Sequence, residues 1–388
     1  MSTAEDISPY ELALGDLLDG SHELRPDQIP GAVRETARRL GALDAVCYVV
    51  DIDQRNLVRL DAPEDALDIE GTLAGRTFRA REIQDASGDL WLPLLDGADR
   101  VGVLHVVADR PSEALRTRLR WLASITAELI VTKSKFGDTI MRASRRFPMT
   151  LAAELRWALL PPLTFRNDRV EIAGMLEPVY DVAGDAFDYA VDADVTHVAL
   201  FDAMGHGLEA TRMANLAVAA YRTARRERLD IAEICRIVDA ALVDEFGGYE
   251  RFVTALLLTL DHHSGVVRFI LAGHPSPLLL RGTRVVGELN GTINLPLGLG
   301  IGDAVVTEVT LEVGDRLLLF TDGVTEAERP DGEQFGVERL RDLLEQAAMA
   351  AEIPSETVRR LTHSVLNHAI DLRDDATLLL LGWRGNGQ

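Results

Sequence analysis

The sequence is poor in cysteine and in long hydrophobic segments, and each shortage excludes a class of protein. Cys47 and Cys235 are the only cysteines in 388 residues, which rules out a disulfide framework or a zinc-binding cysteine pattern. We expect both to be small buried apolar residues. No uninterrupted apolar run reaches the length of a transmembrane helix, and the first twenty residues lack the basic flank and apolar centre of a secretory signal. These absences predict a cytoplasmic protein that does not bind membranes.

Positive charge is also scarce. The chain has 40 Lys and Arg against 62 Asp and Glu, a formal net charge of −22. Nucleic acids and anionic membrane surfaces attract the opposite sign, so we expect neither as a partner. Most of the excess carboxylates favour solubility, and a smaller share are candidates for metal ligands. The hydrophobic fraction of 47% and the charged fraction of 26% are typical of a folded protein, and the length suits two domains.

The order of helical and strand patterns divides the chain into four segments. Residues 1–29 form a helical or frayed start, and residues 30–111 form a small α/β module in the order helix, hairpin, helix, hairpin. Residues 112–150 predict a long helix with a heptad-type seam, either packed on its own domain or paired in a dimeric coiled coil. Residues 151–388 are rich in strands with helices grouped between them, which indicates an α+β layered sandwich.

Aspartates recur at the ends of apolar runs in this last segment. Asp185 follows Gly184, Asp202 ends one apolar run, Asp322 ends another, and Asp374 and Asp375 precede a third. A buried, unpaired carboxylate is costly, and converging carboxylates raise one another's pKa values. Hard divalent cations such as Mg²⁺ and Mn²⁺ relieve both problems. Any one aspartate could be a turn or helix-capping residue, but together they favour the oxygen-ligand metal site of a hydrolase.

Around these aspartates the sequence resembles the PPM family of metal-dependent serine/threonine protein phosphatases, in its SpoIIE/RsbU-like branch. The resemblance covers about residues 155–383 and depends on a set of motifs in a fixed order. These are ALLPP at 158–162, EPVYDVAGDAFDY at 177–189, DAMGHG at 202–207, FVTALLLTLD at 252–261, LAGHPSPLLL at 271–280, LPLGL at 295–299, TDGVTEA at 321–327 and DDATLLLL at 374–381.

The resemblance implies a C-terminal αββα sandwich that holds two Mn²⁺ or Mg²⁺ ions and hydrolyses phosphoserine or phosphothreonine without a covalent phosphoenzyme. The implied metal ligands are the carboxylates of Asp185, Asp202, Asp322 and Asp374 and the backbone carbonyl of Ala203. In this assignment Asp185 binds one ion, Asp202 bridges both, and Asp322 and Asp374 bind the other. The four aspartates are thereby the expected catalytic residues, with Asp375 as a less favoured alternative to Asp374. His206 and His274 fit structural loop histidines better than general acids.

The module at 30–111 resembles a compact GAF domain, through the order of its elements more than through fixed residues. Such a module implies a sensor for a small molecule or protein, a homodimer, and regulation of the phosphatase through the helix that follows. The resemblance also implies a substrate, a phosphorylated anti-sigma-factor antagonist of the STAS type. Two alternatives stay open: a scaffold without activity, and a metal hydrolase of small phosphate esters.

Overall fold

The computed structural model describes residues 8–86, 88–181, 184–247, 251–300, 302–369, 372 and 374–385. The chain divides into two compact units, residues 1–148 and residues 149–388. Within the described residues, no helix is both long enough and apolar enough to cross a membrane.

The first unit is an antiparallel sheet with helices on both faces. Its elements are α1 Pro9–Gly20, α2 Ile29–Leu40, β1 Asp44–Val50, β2 Asn56–Arg59, β3 Ala66–Asp68, α3 Leu73–Ala80, β4 Gln84–Ala86, β5 Asp89–Asp96, β6 Asp99–Val107, α4 Glu113–Lys133 and α5 Thr139–Ser144. The six strands lie in the order β3-β2-β1-β6-β5-β4. Helices α1, α2 and α4 bury their apolar residues against one face, and α3 packs on the other. Both predicted hairpins, β1–β2 and β5–β6, are present.

Helix α4 is shorter than the predicted helix and belongs to the first unit. Ser112 caps it by accepting a hydrogen bond from the Leu115 amide at 3.2 Å. The seam residues Leu115, Leu119 and Leu122 are buried in the core of the unit. The helix ends at Lys133, and the shorter α5 follows, so the prediction of one helix over 112–150 is wrong in its C-terminal part. The arrangement favours packing on its own domain, and the coiled coil and the homodimer stay predictions.

Among its described residues, the second unit contains eight strands of five residues or more and six helices of five or more, with short strands between them. Its elements are α6 Leu151–Leu159, β7 Thr164–Arg166, β8 Val170–Glu177, β9 Asp185–Val191, β10 Val195–Ala203, α7 Leu208–Arg226, α8 Ile231–Phe246, β11 Val253–Asp261, β12 Val266–Ala272, β13 Leu278–Arg281, β14 Arg284–Glu288, β15 Ile293–Asn294, β16 Thr307–Thr310, β17 Arg316–Phe320, α9 Asp322–Glu326, α10 Val337–Met349, α11 Pro354–His368 and β18 Ala376–Trp383.

These strands form two facing sheets. One has the order β15-β12-β11-β10-β9 with β16 beside β12, and the other has the order β14-β13-β17-β18-β8-β7. Leucines from both sheets, among them Leu200, Leu258, Leu319 and Leu379, form one shared core. Helices α7 and α8 cover the outer face of the first sheet, and α10 and α11 cover that of the second. Because each sheet is buried on both faces, its strands read as continuous apolar runs. The predicted αββα sandwich is confirmed.

Both cysteines are buried, as expected. Burial raises the pKa of Cys47 and of Cys235 to about 12. Neither thiol is therefore a reactive thiolate at neutral pH.

Candidate metal centre

The predicted metal ligands converge at one end of the sandwich. Asp202 is the penultimate residue of β10 and pairs in register with Asp185, the first residue of β9. In the facing sheet, β17 and β18 are neighbours that pair Phe320 with Leu378. Asp322 lies just beyond the end of β17, and Asp374 just before the start of β18. The antiparallel pairing thereby brings both acidic ends to the same edge.

Asp185 connects the two sheets. Its side chain is 1% exposed, and its Oδ2 accepts hydrogen bonds from the Oγ1 atoms of Thr321 at 2.7 Å and Thr377 at 2.6 Å. Thr321 follows β17 and Thr377 lies on β18, so both belong to the side of the other sheet. Its Oδ1 is buried and has no hydrogen-bond partner among the described residues. A buried carboxylate oxygen left without a partner is expensive unless a cation or water satisfies it. Asp185 therefore fits a metal ligand.

The aspartates raise one another's pKa values. Burial raises the pKa of Asp185 well above its usual range, and the charges of Asp202 and Asp375 raise it further. Burial, followed by the charges of Asp322, Asp374 and Asp375, raises the pKa of Asp202 to about 7. Burial and the charge of Asp374 also raise the pKa of Asp322. The carboxylates are thus close enough to interact strongly, and a bound cation would relieve that repulsion.

The adjacent aspartates Asp374 and Asp375 have different surroundings. The Asp374 side chain is exposed, and its Oδ1 accepts a hydrogen bond from the Asp375 amide at 2.9 Å. The Asp375 side chain is buried, and its Oδ2 accepts hydrogen bonds from the backbone amides of Gly184 and Asp185. This difference supports Asp374 as the ligand and gives Asp375 a structural task.

Two glycines let the backbone segments of the centre approach one another. A Cβ atom on Gly184 would lie 2.4 Å from the carbonyl oxygen of Ala203, and one on Gly323 would lie 2.0 Å from that of Asp375. Both contacts are with backbone atoms that cannot easily move. Only glycine fits at these two positions, which explains the glycines beside Asp185 and Asp322 in the sequence.

The donor chemistry fits Mn²⁺ or Mg²⁺. The candidate donors are all oxygen atoms and mostly anionic, which hard divalent cations prefer. As the described side chains stand, no group of three acidic, histidine or cysteine residues could already hold an ion. Because like charges repel, we expect these carboxylates to close around a cation only as it binds. The assignment of Asp185, Asp202, Ala203, Asp322 and Asp374 as ligands stays a prediction.

Three threonines support the centre and were missed in the sequence. Thr321 and Thr377 bind Asp185, as described above, and the Thr254 hydroxyl lies 3.4 Å from Asp202 Oδ2 and 2.9 Å from His274 Nδ1. Burial lowers the pKa of His274 to about 3, so this histidine is neutral at pH 7 and is no general acid there. His206 is exposed in the loop after β10. The one available signal was the position of two of them, since Thr321 is next to Asp322 and Thr377 comes three residues after Asp374.

An open cavity of about 470 Å³ adjoins the centre. It is bounded by the loop after Ala203, the start of α7 and the segment before β11, where the Met204 amide donates to the Phe252 carbonyl at 3.1 Å. Its lining residues are Met204, Gly205, His206, Glu209, Ala210, Met213, Arg251 and Phe252. Arg251 pairs there with Glu209 at 2.7 Å. The acidic centre thus lies next to space that a substrate segment could enter.

Comparison with known proteins identifies the C-terminal region. Residues 192–384 match the family model of Stage II sporulation protein E (SpoIIE). Phosphoserine phosphatase RsbU of Bacillus subtilis is 23% identical over 241 residues, 60% of this chain and 68% of that protein. Protein IcfG of Synechocystis is 22% identical over 239 residues, 55% of this chain but only 38% of that protein.

A solved structure supports the same fold. The SiaA-PP2C domain of Pseudomonas aeruginosa is 27% identical and superposes with a TM-score of 0.50, covering 61% of this chain and 94% of that domain. The family match contains Asp202, Asp322 and Asp374 but begins after Asp185, whose place in the centre depends on the geometry above. Residues 192–384 therefore belong to the SpoIIE family of PP2C-type phosphatase domains.

Proposed function

We propose that this protein is a metal-dependent protein phosphatase that hydrolyses phosphoserine or phosphothreonine on a regulatory protein. The observation that carries the proposal is the cluster of mutually repelling aspartates, with the unsatisfied Asp185 Oδ1 at its centre, within a SpoIIE-family domain. When bound, two Mn²⁺ or Mg²⁺ ions would supply an activated water nucleophile and neutralise the phosphoryl oxygens.

The residues around the centre have different proposed roles in binding the ions. Asp202 interacts electrostatically with Asp185 on one side and with Asp322 and Asp374 on the other, which suits a bridging ligand. Thr321 and Thr377 fix the orientation of Asp185. The buried thiols are not nucleophiles, so direct hydrolysis of the phosphate ester accounts better for the site than a phosphocysteine intermediate.

The substrate that we propose is a phosphorylated anti-sigma-factor antagonist of the STAS type. Support comes from the similarity to RsbU, a phosphoserine phosphatase, and from the open cavity beside the centre, which leaves room for a protein segment. The test is to incubate the full-length protein and Mn²⁺ with phosphorylated antagonists from its own genome, a generic phosphopeptide and an aryl phosphate. We expect selective release of phosphate from one antagonist.

Asp202→Asn is the matched inactive control, and we expect it to abolish turnover while the fold persists. Full activity in this variant would refute the site assignment. Comparable turnover of aryl phosphate and antagonists would point to a hydrolase of small esters. Absence of Mn²⁺ binding in calorimetry would point to a scaffold without activity.

The N-terminal unit is proposed to be a GAF-like sensor that regulates the phosphatase, with the protein acting as a homodimer. Its support is the six-stranded antiparallel sheet with helices on both faces. Because α4 belongs to the core of this unit, a truncation at residue 110 would expose its apolar side. Removing residues 1–148 is the cleaner test. We expect altered Mn²⁺ dependence or turnover and loss of dimer in sedimentation analysis; unchanged values would contradict the proposal.

A further inference from the structure

Arg156 is a buried arginine of α6 that the site described above does not use. It is 1% exposed, and its Nη2 donates hydrogen bonds to the backbone carbonyls of Pro178 and Val179. Its Nε and Nη1 are buried and have no hydrogen-bond partner among the described residues. A guanidinium with unsatisfied buried donors is costly unless nearby negative charge compensates it.

The compensating charge comes from the acidic centre. Nη1 of Arg156 lies 4.0 Å from Oδ1 of Asp375, which is itself buried. The other oxygen of Asp375 accepts hydrogen bonds from the amides of Gly184 and Asp185. A continuous series of contacts therefore runs from α6 through Asp375 to the backbone that carries Asp185.

We propose that Arg156 is a positioning residue of the metal centre: it holds Asp375 against the Gly184–Asp185 backbone and thereby keeps Asp185 oriented to bind a cation. This inference rests on the proposed function, because it assigns Arg156 a part in binding the metal of that site. Among the described residues, Arg156 makes no hydrogen bond or ion pair with a predicted metal-ligand side chain, and it does not line the open cavity. It acts through Asp375, whose two carboxylate oxygens face Arg156 on one side and the Gly184 and Asp185 amides on the other.

Two opposite effects of removing Arg156 have to be compared. Loss of a positive charge lowers the repulsion of an incoming divalent cation and would tighten binding. Loss of the contact frees Asp375 and with it the Asp185 backbone, which would weaken binding. Arg156→Gln removes one whole positive charge, so the charge effect alone predicts tighter Mn²⁺ binding. The proposal requires the loss of orientation to be the larger effect, and the sign of the measured change in Mn²⁺ affinity decides between the two.

The test compares Arg156→Gln, Asp375→Asn and the double variant in the full-length protein. Mn²⁺ affinity is measured by calorimetry, and the Mn²⁺ concentration for half-maximal phosphopeptide hydrolysis is measured beside it. We expect Arg156→Gln to weaken Mn²⁺ binding about 10-fold or more, the range found for residues that orient metal ligands. At saturating Mn²⁺, kcat should stay within about threefold of the wild type, because no group in contact with substrate has changed.

The double variant distinguishes a role of Arg156 in positioning Asp375 from a loss of Mn²⁺ affinity caused by general destabilisation of the fold. In Arg156→Gln/Asp375→Asn, neither buried charge is left without its partner, and the asparagine oxygen can still accept from the two amides. We expect its Mn²⁺ affinity and unfolding free energy to lie closer to the wild type than the sum of the single effects predicts. Additive effects of the two substitutions would overturn the proposal.

Arg359→Gln is the matched control. Arg359 is equally buried and pairs with Glu356 at 2.8 Å on α11, so its loss should lower stability and leave Mn²⁺ affinity unchanged. Wild-type or tighter Mn²⁺ binding by Arg156→Gln, or the same loss of affinity in Arg359→Gln, would refute the role. If Arg156→Gln does not fold, Arg156→Lys replaces it, with intermediate Mn²⁺ affinity expected.

The two hypotheses fail in different ways. A wild-type protein that binds Mn²⁺ but hydrolyses no phosphoester contradicts the proposed function, while the calorimetric comparison still decides the role of Arg156. An active wild type whose Mn²⁺ affinity does not respond to Arg156 contradicts this inference alone.

Discussion

Strand β9 carries two buried aspartates with opposite electrostatic surroundings. Asp185 and Asp188 are each 1% exposed and lie three residues apart. Asp188 faces α7, where Arg222 donates to its Oδ1 at 2.7 Å and Arg225 donates to its Oδ2 at 2.8 Å. Asp185 faces the other sheet, where two threonine hydroxyls bind one of its oxygens and no described residue binds the other.

The difference shows what a buried carboxylate needs at each place. The protein supplies two guanidinium groups to Asp188, so that charge is compensated within the fold. The direct hydrogen-bond partners of the Asp185 carboxylate are hydroxyls, and further aspartates lie close, so we expect a cation from solution to supply the missing positive charge. A buried aspartate thus indicates a metal site only where no arginine or lysine side chain pairs with it directly.

The largest effect expected concerns activity. Asp185→Asn should lower kcat/KM by about 10³-fold or more at fixed Mn²⁺, because a ligand of an ion that activates the nucleophile is lost. Phosphate release from a phosphopeptide measures it. Activity near the wild-type value would show that Asp185 is not a metal ligand. It would also contradict the contrast between Asp185 and Asp188.

The same pair should show opposite changes in stability. Asp188→Asn leaves Arg222 and Arg225 without their buried partner and should lower the unfolding free energy by about 3 kcal/mol. Asp185→Asn removes an uncompensated buried charge and should raise the unfolding free energy of the metal-free protein. Urea unfolding with a chelator present measures both. A change of the same sign in the two variants would contradict our account of β9.

The pH dependence of the metal-free protein should follow the raised carboxyl pKa values. The pKa of Asp202 is about 7 in the folded protein, above the usual value near 4 of an unfolded chain. Between these values the folded state binds more protons, so stability should fall as pH rises from about 4 to about 7. Thermal unfolding with a chelator should show this slope, Asp202→Asn should reduce it, and Mn²⁺ should add most stability at the higher pH.

The smallest effect expected is at the threonines. Thr377→Val leaves Asp185 Oδ2 with one hydroxyl partner instead of two, and should weaken Mn²⁺ binding by about threefold to tenfold, as one hydrogen bond to a charged group is lost. Thr357→Val on α11 removes a buried hydroxyl whose one hydrogen bond among the described residues is to the Ile353 carbonyl. It should leave Mn²⁺ affinity unchanged. Equal effects would mean that the threonine contact does not orient Asp185.

Much of the sandwich could be predicted from sequence because its buried strands are continuous apolar runs. The segments that become β8, β10, β11, β12, β17 and β18 are such runs, and they are why residues 151–388 were predicted to be rich in strands. Strand β9 is not such a run, since its two aspartates interrupt the apolar pattern that marks a strand. The end of α4 was missed as well, because the heptad spacing continues to Ile140 although α4 ends at Lys133. A short 3-10 turn follows it, and Gly137, extended with φ of 176°, separates that turn from α5.

The sequence also predicted the metal centre only in part, because its contacts join residues that are far apart in the chain. Strand-end aspartates could be recognised one motif at a time, but the partners of Asp185 lie 136 and 192 residues away in sequence. Only the pairing of the strands brings Thr321, Thr377 and Asp375 to it. The different tasks of Asp374 and Asp375 depend on which of the two is buried, and their adjacency in sequence does not reveal that.

The threonine contacts to Asp185 also bear on how the domain is held together. Hydroxyls on the side of β17 and β18 hold the carboxylate of Asp185, a predicted ligand on β9 of the facing sheet. An ion bound there would connect the two sheets. Ligand that binds only the assembled state adds stability by mass action, about 2.7 kcal/mol at a concentration 100 times its Kd. Divalent cation in solution would then govern both how tightly the two sheets close and how much of the protein is competent for catalysis.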